Sequence, residues 1–174
     1  KAAGRNTFTF YSDEYTQAAR QRITLEAQLR KAIKQGHLRV FYQPQIEIYS
    51  GRIIGAEALV RWLDPERGLI PPGSFIPVAE ACGLIHEVGE FVLAETCRQG
   101  QQWLELGLPR LTLAVNVSPQ QFKRNNMRKM VTDVLKNSGF PAYALELELT
   151  ESALMENEES VVNTLNELRG LGIR

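Results

Sequence analysis

The sequence predicts an α/β protein whose sheet opens with an antiparallel hairpin and continues as parallel strands separated by helices. Two observations carry this. Strand-like runs over 38–48 and 52–63 are joined only by the turn Tyr49-Ser50-Gly51, which is too short for a crossover, so the pair must run antiparallel. From residue 111 onward, strand-like and helix-like stretches alternate, which is the repeat of an α/β barrel. An eight-stranded barrel takes about 200–250 residues. The 174 residues, which begin at Lys1 rather than Met, are therefore expected to hold about half of one and to be a piece of a longer protein.

The elements follow in order. Residues 1–12 combine a short basic turn with an aromatic-alternating strand. Ser12 and Asp13 can cap a helix that runs to about residue 35, with Gly36 as its stop. Leu25, Leu29 and Ile33 recur at i, i+4 and i+8, flanked by Ala18, Ile23 and Ala32, which gives one narrow docking face. In the first strand of the hairpin Gln43 shares a face with Phe41 and Gln45, and Pro44 requires an edge or a bulge. Pro71-Pro72-Gly73-Ser74 reads as a loop with a helix cap, followed by helices over 75–82 and 84–106. The strand Leu111 to Ser118 is stopped by Pro119. Met127, Met130, Val131, Val134 and Leu135 mark a helix closed by Gly139, with the methionines as core filler. A strand begins at Leu145, Asn157 caps a last helix to about Arg169, and 171–174 starts another strand.

The chemistry lies on three of these strands. Ile54-Gly55-Ala56-Glu57-Ala58-Leu59-Val60-Arg61-Trp62 carries a carboxylate and a guanidinium in an apolar setting. Alternation puts Glu57, Leu59 and Arg61 on one face and Ala58, Val60 and Trp62 on the other. Burying a carboxylate among apolar residues costs several kcal/mol unless a cation or hydrogen bonds compensate. Read alone, the strand fits a structural Glu57–Arg61 pair as well as a site. On the second strand Thr112, Ala114, Asn116 and Ser118 oppose the leucine and valine face. On the third, Glu146, Glu148 and Thr150 oppose Leu145, Leu147 and Leu149. Each strand thus delivers one oxygen ligand: Glu57, Asn116 and Glu148. Side by side with these faces converging, they form an all-oxygen site suited to magnesium, manganese or calcium rather than zinc or copper.

Composition narrows the rest. Hydrophobic residues make up 44% of the chain, which supports a packed core. Formal net charge is zero, so no nucleic-acid polymer or membrane surface is attracted by bulk charge. No run approaches the ~18–20 apolar residues of a membrane span, and no secretory signal is visible. Cys82 and Cys97 read as core thiols rather than a disulfide, in keeping with a reducing cytoplasm. His37 and His86 are isolated, without zinc spacing, and read as surface or structural residues.

Five motifs in order resemble the EAL domain, the family of bacterial cyclic-di-GMP phosphodiesterases and their inactive relatives. They are Tyr42-Gln43-Pro44; Glu57-Ala58-Leu59 with Arg61-Trp62; Pro72 through Phe75-Ile76-Pro77 to Ala79-Glu80; Asn116-Val117-Ser118; and Glu148-Leu149-Thr150-Glu151-Ser152. The resemblance covers about residues 35–174. It implies a TIM-like (β/α)8 barrel with a reversed first strand. It also implies hydrolysis of one phosphodiester of cyclic di-GMP to linear pGpG with magnesium or manganese. By this resemblance Glu57, Asn116 and Glu148 hold the metal. Gln43, Leu59, Arg61 and Pro72 contact cyclic di-GMP, and Glu151 supports an active-site loop. Glu80 matches a family position, Glu87 reads as solvent-facing, and Thr150 and Ser152 satisfy backbone or supporting bonds. A further metal ligand, a lysine and a glutamate base are implied beyond Arg174, so the chain alone is expected to be inactive.

Residues 1–12 resemble the close of a GGDEF domain, which implies an upstream GGDEF domain in the parent protein. Residues 13–35 then read as a linker helix and 36–174 as the N-terminal portion of an EAL domain. The alternative function is a non-catalytic EAL module that binds cyclic di-GMP or mediates dimerisation and signalling. A partial sheet with an open edge is expected to be covered by association. A homodimer is the simplest form, with exchange of the N-terminal segment and its helix as one route.

Overall fold

The computed structural model describes residues 13–122, 126–149 and 158–174. Residues 1–12, and with them the GGDEF-like tail, lie outside these, as do Thr150, Glu151, Ser152 and the cap residue Asn157. The elements run α1 (Asp13–Lys34), β1 (Leu38–Ile46), β2 (Ile53–Asp64), β3 (Gly68–Ile70), α2 (Pro72–Cys82) and α3 (Ile85–Glu105). They continue with β4 (Thr112–Val117), α4 (Pro119–Phe122), α5 (Met127–Ser138), β5 (Leu145–Leu149) and α6 (Glu158–Gly170).

The sheet has the order β1-β2-β4-β5, with β3 paired to β2. β1 and β3 run antiparallel to β2, while β2, β4 and β5 are parallel. The reversed first strand therefore stands as expected, with a register shift between Gln45 and Ile46 just beyond Pro44. Past β5, the Arg174 N–H donates to the Leu145 carbonyl at 3.1 Å and its carbonyl accepts from the Leu147 N–H at 2.9 Å. The ladder thus continues in the parallel sense at the point where a new strand was expected.

One face of the sheet is covered by helices. Ala56, Ala58 and Trp62 from β2, and Leu113, Val115 and Val117 from β4, join Phe75 and Ala79 of α2 and Val88, Val92 and Leu93 of α3 in one core. Trp62 meets Phe75 edge-on, with ring centroids 5.9 Å apart. Close approach of β2 and β4 depends on Gly55, where a Cβ would stand 2.5 Å from the Thr112 carbonyl oxygen.

Three features differ from the sequence reading. In α1, which packs on α2 of the same chain, Leu29 and Ala32 are buried but Ile23 is 69% exposed. Ile23 lies six residues before Leu29, about two-thirds of a turn off the buried stripe. α2 begins at Pro72 rather than 75, because proline suits a first turn whose N–H groups have no partner anyway. β3 and α4 are too short to leave a periodic signal. β3 is set up by Asp64, whose Oδ1 accepts the backbone N–H groups of Glu66 at 3.1 Å and Arg67 at 2.9 Å.

Candidate active site

The face of the sheet opposite the helices carries the polar groups, and strand register puts them in rows. Gln43 stands beside Glu57, Glu57 beside Ala114, and Ala114 beside Glu146. One step along, Phe41 pairs with Leu59, and Asn116 with Glu148. Arg39 pairs with Arg61 in the next row. The three oxygen-bearing side chains thus come from adjacent parallel strands, Asn116 and Glu148 near the C-terminal ends of β4 and β5 and Glu57 from the middle of β2.

Two of them touch. Asn116 Nδ2 donates to Glu57 Oε1 at 2.6 Å. Glu148, its register neighbour, has its carboxyl pKa raised, first by burial and then by the negative charges of Glu57 and Glu146. Among the described residues neither Glu57 nor Glu148 has an ion-pair partner. Negative charge is therefore gathered at one partly buried point and, among the described residues, offset only by an amide. The donors are two carboxylates and a carboxamide. No group of three histidine, cysteine or carboxylate side chains placed to hold a metal occurs among the described residues. Such a set fits a hard cation of the magnesium or manganese type. Coordination by Asn116 would use its carbonyl oxygen, so the carboxamide would turn over and give up the bond to Glu57.

Arg61 forms no ion pair with Glu57. Its Nη1 donates to the Val60 carbonyl at 2.9 Å, and its guanidinium lies 5.9 Å from the centre of the Phe41 ring. The remaining donors of a planar fork suited to phosphate oxygens have no partner among the described residues. Arg61 lines a cleft of about 320 Å³ together with Leu59, Pro72, Glu80, Asn116 and Glu148. Gln43 is brought beside Glu57 by register but is exposed on β1 and does not line this cleft. Glu87 is exposed, and Glu151 lies outside the described residues.

Sequence reasoning missed the arrangement at the end of β4. Ser118 Oγ donates to Glu80 Oε1 at 2.8 Å, tying the strand end to α2. The Ser118 N–H donates to Gln121 Oε1 at 2.9 Å, and the Gln120 N–H reaches Ser118 Oγ at 3.3 Å. These are the two halves of a capping box on α4, with Pro119 at the first helical position. The spacing Ser-x-x-Gln was the available signal. Gln121 is only 4% exposed. Its amide occupies the space that a Cβ on Gly89 of α3 would take.

Comparison with known proteins decides the family. The model of the EAL domain matches residues 26–174. The chain belongs to the EAL domain family. The Escherichia coli oxygen sensor protein DosP is 36% identical over 170 residues, 98% of this chain and 21% of DosP. The E. coli cyclic di-GMP phosphodiesterase PdeR is 37% identical over 172 residues, 99% of this chain and 26% of PdeR. MucR of Pseudomonas aeruginosa, described as a bifunctional diguanylate cyclase/cyclic di-GMP phosphodiesterase, is 37% identical over 173 residues, 99% of this chain and 25% of MucR. The MucR phosphodiesterase solved as a c-di-GMP complex superposes with a TM-score of 0.82 at 39% identity, over 86% of this chain and 61% of that one. This EAL chain spans about a fifth to a quarter of the length of the curated relatives it matches. Among its described residues no helix is long and apolar enough to cross a membrane.

Proposed function

We propose that the protein carrying this EAL chain hydrolyses one phosphodiester bond of cyclic di-GMP to give linear pGpG. The observation that carries this reading is the meeting of Glu57, Asn116 and Glu148 on adjacent strands, with Asn116 and Glu148 lining a cleft together with Arg61, which has no ion-pair partner among the described residues. An anionic substrate and a cation would satisfy the two halves of that cleft. Relatives described as phosphodiesterases and solved with c-di-GMP support it.

In this reading Glu57, Asn116 and Glu148 hold magnesium or manganese. When bound, the cation supplies charge neutralisation at the phosphoryl oxygens and makes water more acidic. Arg61 binds a non-bridging phosphate oxygen pair, which orients the scissile bond and draws electron density from phosphorus. Leu59 and Pro72 form apolar walls against the nucleotide, and Gln43 approaches it from β1. Glu151 supports a loop over the site. The parent is cytoplasmic, with residues 1–12 closing an upstream GGDEF domain, 13–35 linking, and 36–174 opening the EAL domain. The bifunctional description of MucR supports that order. A homodimer is the assembly expected for it.

The test is chromatographic detection of pGpG from cyclic di-GMP by the full-length protein with magnesium or manganese, beside its Glu57→Ala variant. Turnover that needs the metal and vanishes in the variant is expected. Binding without turnover would point to a sensing module, and neither binding nor turnover would overturn the reading.

A further inference from the structure

Ser118 is held from two directions by groups at the edge of the cleft that Arg61, Asn116 and Glu148 line. Glu80 of α2 accepts its hydroxyl hydrogen, and Gln121 accepts its backbone N–H. Gln121 is in turn fixed by burial, with its amide lodged against the bare Cα of Gly89 on α3. A helix cap alone requires none of this burial, since caps at exposed helix starts are solvated. α4 is only four residues long, so it gives the cap little to stabilise. What the clamp does hold is the last turn of backbone after Asn116, two residues before Ser118 on the same face of β4. Asn116 is 2.6 Å from Glu57 and beside Glu148 in register, so a small shift of the strand end changes its reach to both.

We propose that Gln121 is a positioning residue for Asn116, and that Gly89 is glycine because only a missing Cβ lets Gln121 do so. The inference rests on the reading of Glu57, Asn116 and Glu148 as the cation site. Gln121 lines the same cleft as Arg61 but is none of the three residues assigned to the cation. It locks Ser118, and Ser118, bound also to Glu80, sets where the Asn116 carboxamide stands. Partners bonded directly to a metal's ligands commonly change its affinity about 10- to 100-fold, and Gln121 acts one step further out, so the low end of that range applies.

Gly89→Ala separates positioning from structure. It replaces a glycine inside α3 with the best helix former. The atoms it displaces are the far end of a flexible side chain rather than backbone. Its thermal midpoint is expected to change little, since the gain in helix propensity offsets the cost of displacing the buried Gln121 amide, while the site loosens. In the full-length protein, Mn2+ binding followed by electron paramagnetic resonance should weaken about tenfold in Gly89→Ala and in Gln121→Ala. The double variant should be no worse than either alone, because both act through one side chain. The turnover number should fall with little change in KM. Unchanged Mn2+ affinity in both single variants, in a parent that binds Mn2+ and hydrolyses cyclic di-GMP, would overturn the positioning role and leave the site assignment standing. A parent that binds no Mn2+ would overturn both.

Discussion

Asn116 donates to Glu57 across the β2–β4 joint at 2.6 Å, between two partly buried carboxylates that lack ion-pair partners among the described residues. The amide hydrogens stand in for part of the positive charge that the pair calls for. Glu148, one strand over, has no such donor among the described residues, and its carboxyl is pushed upward by burial and by Glu57. Cation binding would replace the Asn116–Glu57 bond, because the carboxamide would then present its oxygen.

Asn116→Asp tests this directly. It exchanges the donor for a third carboxylate, so the ligand-free protein should lose about 1.5–3 kcal/mol, the range for a hydrogen bond to a charged group. Added Mn2+ should recover part of that loss, since a ligand bound only by the folded state stabilises it. Denaturant titrations with and without Mn2+ read both effects. An equal deficit in the two conditions counts against a cation site, whereas Asn116→Ala should simply end turnover.

Arg61→Ala should weaken cyclic di-GMP binding by about 1.5–3 kcal/mol and leave the fold intact. The fold should survive because, among the described residues, Arg61 donates only to the neighbouring Val60 carbonyl and lies over Phe41 on an edge strand. Calorimetry on the full-length protein measures the loss. An unchanged dissociation constant together with a lowered melting midpoint would return Arg61 to a structural role.

Much of this site was legible because strand alternation is a rigid rule. Once Leu113, Val115 and Val117 are assigned to the core, Asn116 can only face the other way, and the same logic places Glu57 and Glu148. The hairpin reversal was legible from turn length alone. Adjacency between β2 and β4 was not, since it depends on a crossover through two helices. The Glu80–Ser118 and Gln121–Gly89 contacts were hidden for a related reason. Their partners lie 38 residues apart in the first case and face each other only after α2 and α3 dock. The Ser-x-x-Gln cap was readable locally, but its burial was not. Ile23 misled because apolar residues near a helix stripe are common on exposed faces too.

Two glycine substitutions should diverge. At Gly55 a Cβ would press on the Thr112 carbonyl, and backbone inside a ladder cannot step aside. Gly55→Ala should cost about 1–3 kcal/mol, as overpacking does, and should also reduce Mn2+ affinity by moving Glu57 away from Asn116. Gly73, on the first turn of α2, has open space around it. Gly73→Ala should stabilise by up to about 1 kcal/mol through the unfolded chain. Chemical denaturation of both variants checks the contrast, and equal effects would mean that β2 and β4 are not as closely apposed as Gly55 implies.

The two cysteines should report the packing of α3. Cys97 is fully buried on the inner side of that helix, and burial pushes its thiol up to about 12. The reactive species is the thiolate, so near pH 8 almost no Cys97 is in reactive form even where reagent can enter. Cys82, at the end of α2, is only half-buried and bonds weakly to the Ala79 carbonyl at 3.8 Å. Brief alkylation of the folded protein should therefore label the Cys82 peptide and spare the Cys97 peptide, with both labelled in denaturant. Slow labelling of Cys97 then measures opening of α3 from the sheet, because modification requires the helix to lift first. Peptide-resolved mass spectrometry gives the two rates separately. Equal rates in the folded protein would mean that α3 does not cover β2 and β4, and the cleft whose wall it forms would fall with it.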